Sequence, residues 1–200
     1  MLALLKLQWQ LRKKMLLFHL AIIIGIGVFF STKIDTMQLA IMCYILSVNF
    51  LSNTFFFSLN HFYRLLAIMP IEREKVVKSI ALLSLLFIII TFSIILPFQL
   101  KNDITENLSI FLGFFACAIV CSAIEQYFLF TNEKPEIGFG ENMLSMLGSI
   151  IILIPHALLY FIEHEPTIYL RLLIAPILAV VFYYWRMKGN IAYFEKKEIF

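Results

Sequence analysis

The chain has 200 residues, of which 62% are hydrophobic and only 14% charged, and Phe alone occurs 21 times. A water-soluble domain of this length needs more polar surface than that composition supplies, which excludes a single soluble domain with a greasy core. The formal net charge of +3 is modest, no nucleic-acid partner is expected from it, and its information lies in where the basic residues sit.

Leu, Ile and Phe gather into long apolar blocks, the pattern expected when lipid replaces water as the solvent. A bilayer core of about 30 Å needs about 20 residues of helix. Six blocks meet or approach that length, at 15–30, 37–59, 80–100, 108–130, 143–162 and 168–185. All six are expected to be helices. In hydrocarbon the backbone must satisfy its own hydrogen bonds, and a barrel strand would be nearer ten alternating residues. The expected fold is therefore an all-α, polytopic membrane domain of six transmembrane helices filling residues 1–200.

The N-terminal stretch carries Lys6, Arg12, Lys13 and Lys14 ahead of the first block. It resembles a secretory leader, but no A-x-A-like cleavage site follows and five more blocks do, so it reads as a retained first span. Residues 1–14 themselves fit either a helix lying in the interface or a simple cytoplasmic extension of span one. In span two, Asn49, Ser52, Asn53 and Thr54 form a polar patch, with Asn49 and Asn53 on one face. That face either bonds to another helix or lines a translocation path.

The connection to span three alternates apolar and charged groups too densely for a floppy linker. Pro70 biases Met69 away from helical geometry. A helix starting just after it places Glu72 and Glu74 near exposed amides, with Arg73, Lys75 and Lys78 following. The expected form is a short interfacial helix, a corner at Pro70, and a second short helix turning into the membrane. Such a surface either anchors the chain among anionic headgroups or presents a rigid knob to a partner protein.

Span four holds Cys117 and Cys121 one helical turn apart, which suits packing residues in a helix interface or, as an alternative, a metal or redox pair. Ionisable groups at membrane depth are candidates for function. Glu125 lies in the inner half of span four, where it could face a translocation path, bond another helix or reach water. Residues 131–142 read as a loop with an acidic bias. In span five Pro155 is expected to kink the helix, and His156 either lines a cavity opened there or bonds a freed carbonyl.

Orientation follows from Lys and Arg in the connections. Thirteen of the 16 basic residues fall on one side of the six-span arrangement, and only Lys33, Lys101 and Arg171 on the other. Both termini are therefore expected in the cytoplasm. The connections on the opposite side are too short to fold as a domain. The sequence has no G-x-x-x-x-G-K-[ST] phosphate loop, H-E-x-x-H or G-x-S-x-G, so no catalysis by this polypeptide and no cofactor or metal of its own is expected.

Six spans, a basic leader and the segment Met69-Pro70-Ile71-Glu72-Arg73-Glu74-Lys75-Val76-Val77 together resemble the permease subunits of bacterial ABC-2-type transporters. That family carries a stretch like L-P-I-S-R-K-E-I-V between its second and third helices. Pro70, Ile71 and Arg73 match it directly and Val76 takes the Ile position. Glu72 replaces the Ser, and the Lys-Glu order is reversed at Glu74-Lys75. The architecture covers nearly the whole chain, whereas the motif is short and degenerate.

The resemblance implies an exporter half in the bacterial plasma membrane. It would pair with a second permease as a homo- or heterodimer, above cytoplasmic ABC ATPase subunits that bind the ATP and magnesium. Pro70, Ile71, Glu72, Arg73, Glu74, Lys75 and Lys78 would be the element coupling to the ATPase, and Asn49, Asn53, Glu125 and His156 candidates for the path. Small size and short outer loops also look like Gram-positive permeases that export amphipathic peptides, such as the staphylococcal exporters of phenol-soluble modulins. The alternative is a non-transporting membrane protein serving immunity or sensing.

Overall fold

Apolar blocks that must close their own backbone hydrogen bonds have helix as their available form, and the computed structural model is helical nearly throughout. It describes residues 2–30, 35–48, 72–99, 104–131, 139–160 and 165–196, and among these there is no strand. In chain order the helices are α1 (Leu2–Phe30), α2 (Thr36–Val48), α3 (Arg73–Gln99), α4 (Ile104–Thr131), α5 (Phe139–Ile150), α6 (Leu153–Tyr160) and α7 (Glu165–Lys196). Three of them have stretches long and apolar enough to cross a bilayer, at Arg73–Pro97, Ile104–Thr131 and Leu172–Lys196. The other described apolar stretches, Leu17–Ile26, Thr36–Val48 and Gly140–Pro155, are shorter.

The helices run further into their polar flanks than the apolar blocks do. The segment before the first block is not a separate element, because α1 is one helix from Leu2 through Phe30. Likewise α3 does not begin as a separate short helix. It runs from Arg73 to Gln99, with Glu72 as the capping residue whose carbonyl accepts from the N–H of Lys75 at 3.0 Å. Glu74 sits in the first turn, where a carboxylate suits the exposed amides.

The block expected to be one kinked span at 143–162 is two helices. Pro155 has no N–H to offer the Ile151 carbonyl, and its ring crowds that carbonyl. The chain answers with a turn at residues 151–152, where the N–H of Ile154 donates to the Ile151 carbonyl at 3.1 Å and that of Ile152 to Ser149 at 3.3 Å. Pro155 then falls in the first turn of α6, where a missing N–H costs little. Pro176 is passed within α7 without a break.

The bundle is organised around α4. Of its apolar window 61% is buried, against 17% for α7, so α4 forms the centre and α7 keeps a broad outer face. That outer face carries Leu173, Ile177, Val180, Val181 and Trp185, a surface suited to acyl chains rather than water. The most extensive packing is α4 on α7, with α3 against α1, α4 and α7, and α5 against α4. Close approach is helped by small residues: a Cβ on Gly148 would meet Ile124 Cδ1 at 3.2 Å. Cys43, Cys117 and Cys121 are buried free thiols, and among the described residues no cluster could hold a metal.

Candidate functional site

Three arrangements of polar groups stand out, one at an end of the bundle and two inside it. The end is assembled from the start of α3 and the ends of α4 and α7. The last carbonyls of a helix have no intrahelical partner. Those of α7 find one in Arg73, whose Nη1 donates to the Phe194 carbonyl at 3.0 Å and the Glu195 carbonyl at 2.9 Å. Its guanidinium carbon also lies 5.9 Å from the centre of the Phe194 ring, which packs 5.1 Å from Phe130 at the end of α4. A cation here complements the negative end of the α7 dipole as well.

Four further charges surround this clamp. Lys75 Nζ lies 2.6 Å from Glu72 Oε1, and Lys78 pairs with Glu74 one turn apart. All four side chains remain open to solvent, so these pairs contribute little to stability and can be exchanged for the charges of a partner. Below them runs a belt of cations over aromatic rings. Arg186 Cζ stands 3.9 Å from the Tyr127 ring centre and 5.5 Å from that of Trp185, and Lys188 Nζ is 4.8 Å from that of Tyr184. Such pairs suit the headgroup level, where one end of the ring is apolar and the other wet.

Inside the bundle, Gln126 is the hub of a closed network. Its Nε2 donates to Tyr183 Oη at 3.0 Å, and lies 3.2 Å from both Ser84 Oγ and Ser122 Oγ. Tyr183 passes its own proton to the Ala81 carbonyl at 2.8 Å, and Ser84 donates to the Ile80 carbonyl at 2.9 Å. Helices α3, α4 and α7 are thus tied through the Gln126 side chain, although farther along α7 the buried Asn190 has neither amide atom bonded.

The adjacent residue is the opposite case. Glu125 is 1% exposed, and neither carboxyl oxygen has a hydrogen-bond partner. It lies one turn from Cys121 and within its electrostatic reach. The Cys121 thiol in turn faces the hydroxyls of Tyr44 on α2 and Ser149 on α5. Those two hydroxyls are 2.6 Å apart, and the Tyr44 hydroxyl is 3.2 Å from the Met146 carbonyl. The same three helices carry two more covered atoms without partners, Ser47 Oγ on α2 and Asn142 Oδ1 on α5.

Of the residues picked out in the sequence, Glu72, Arg73, Glu74, Lys75 and Lys78 come together at the start of α3, while Pro70 and Ile71 lie outside the described residues. Asn49 and Asn53 lie outside them too, and His156 is placed on α6 with its side chain outside the description. Gln126, Tyr183 and the role of Arg73 as a clamp were not read from the sequence. The signal for Gln126 was present, since a glutamine in an apolar block needs a partner, but the two partners on other helices are 42 and 57 residues away. Comparison of the chain with protein-family models, with curated proteins and with solved structures finds no match.

Proposed function

We propose that the chain is the membrane-spanning permease subunit of an ATP-driven exporter of the ABC-2 type, moving an amphipathic peptide or another hydrophobic substrate. The reading takes the six apolar blocks as six spans of a bacterial plasma-membrane protein with both termini in the cytoplasm. It assigns ATP, magnesium and hydrolysis to separate cytoplasmic ATPase subunits, and a second permease, identical or different, to the other half of the path.

The observation that carries it is the Arg73 clamp. A surface that receives force from a partner is useful only if that force reaches the helices, and a floppy loop would absorb it. Here the charged start of α3 is bonded to the end of α7 through Arg73, and both helices are tied to α4 through Gln126. A push on Glu72, Glu74, Lys75 or Lys78 would move three helices as one body. The P-I-x-R match at Pro70, Ile71 and Arg73 supports the same assignment.

The test reverses the exposed charges and spares the clamp. In Lys75→Glu/Lys78→Glu, a phosphate-loop ATPase that copurifies with the wild-type chain from its native membrane should be lost, and export with it, while the chain stays monodisperse in detergent. Binding and export that both survive this change would overturn the coupling assignment. Full activity in cells lacking every such ATPase would favour the immunity or sensor reading instead.

A further inference from the structure

The Glu125 carboxyl is the buried ionisable group that the coupling argument leaves unused. A charged carboxylate away from water requires an opposite charge or several donors around it. Neither oxygen has a partner, and burial alone acts on the group, with no cation near enough to count. None of the described residues of α2, α4 or α5 is a Lys, Arg or His; besides Glu125 their titratable side chains are Cys43, Tyr44, Glu106, Cys117, Cys121, Tyr127 and Glu141, none of them a cation, and Tyr183 on α7 is not one either. Helices α3 and α7 do carry Lys78 and Arg186, but Lys78 is held by Glu74 and Arg186 lies over Tyr127. Both oxygens are fully covered, so an occupant needs to take up no volume of its own.

We propose that Glu125 is a proton-binding site inside the bundle. It holds its proton while α2, α4 and α5 are packed around the Tyr44–Ser149–Cys121 contact, and releases it when those helices part and admit water. The ligand is a proton rather than a metal or an ammonium group, because the covered oxygens leave no space for a coordination shell. Helix opening and proton release are then one event, so a pH difference across the membrane would bias the open and closed arrangements. The inference stands whether or not the chain works with an ATPase.

Infrared spectroscopy of the full chain in liposomes tests it, because a protonated carboxyl has a carbonyl stretch separate from that of a carboxylate. At pH 7.5 the wild type should show that band. Glu125→Gln should remove the band. Should that variant misfold, Glu125→Asp assigns it by a shift. Absence of the band in the wild type, or its persistence unshifted in both variants, would sink the proposal. The gating half is read from the rate at which the band shifts in heavy water. Tyr44→Phe, which removes the bond to Ser149, should speed that exchange about fivefold, the factor expected for one interhelical hydrogen bond. An unchanged rate would refute the link to helix opening.

Discussion

Glu125 and Gln126 are neighbours on one helix, each 1% exposed, and they have opposite surroundings. One step of about 100° around α4 separates a face that meets α3 and α7 from one that meets α2 and α5. On the first, the Gln126 amide reaches three acceptors and the Tyr183 hydroxyl hands its proton on to a backbone carbonyl. On the second, the Glu125 carboxyl is covered and left without a partner, as are Ser47 Oγ elsewhere on α2 and Asn142 Oδ1 on α5. A satisfied buried polar group specifies how helices pack, whereas an unsatisfied one weakens the packing and persists where it serves something else. Gln126 is therefore a fastened point between α3, α4 and α7, although farther along α7 the buried Asn190 has neither amide atom bonded, whereas the Glu125 face of α4 carries no such fastening.

The sharpest way to break this contrast is to give the satisfied side the other side's chemistry. Gln126→Glu, neutral at that depth as Glu125 is, replaces two N–H donors with a single O–H and leaves acceptors facing acceptors. We expect a loss of about 3 kcal/mol in SDS titrations of mixed micelles. A variant as stable as the wild type would show that the Gln126 network is incidental.

Next in size is Arg73→Ala, which frees the last carbonyls of α7 and removes the cation from its negative end. The expected loss is about 2 kcal/mol, measured by the same titration. Faster hydrogen exchange should be confined to the amides of the last turns of α7. Arg73→Lys should recover only part of it, because both bonds come from the outer Nη1 and a lysine ammonium does not keep the planar guanidinium's contact with the Phe194 ring. A uniform rise in exchange across α3, α4 and α7 would mean that the clamp acts on the whole bundle rather than on one helix end.

These arrangements were unequally legible in the sequence. Blocks at 80–100, 108–130 and 168–185 announced α3, α4 and α7 because length and apolarity are local properties. The helix start at Glu72–Arg73 was readable for the same reason, since Pro70 and the acidic first turn act within a few residues. The end of α7 extends past the 168–185 block, because charged residues in a helix that leaves the bilayer resemble a loop when hydropathy is the guide, whereas residues 1–14 stayed open between an interfacial helix and an extension of span one, and α1 takes the continuous form. Pro155 signalled a disturbance, but its effect falls four residues earlier, on the carbonyl of Ile151, and it divides the block instead of bending it. The partners of Arg73, 121 and 122 residues away, could not be read at all. No rule of spacing within a helix says which distant carbonyl a guanidinium will find.

The smallest expected effects come from one substitution made at both neighbours, and they differ in sign. Methionine has about the length of either side chain and asks for no hydrogen bond. Gln126→Met leaves the hydroxyls of Tyr183 and Ser84 donating as before, and removes only what they accept, so the loss should be about 1–2 kcal/mol. Glu125→Met removes a covered carboxyl that has no bond to lose. Replacing such a group with an apolar one is neutral or favourable, so stability should hold or rise by up to about 1 kcal/mol. If Glu125→Met instead fell by as much as Gln126→Met, the carboxyl would have to be contributing to the packing of α2, α4 and α5, and the division of α4 into a fastened side and an unfastened side would fail. If it rose while any transport activity was lost, the added stability would measure what the closed arrangement forgoes to keep a proton site at its centre.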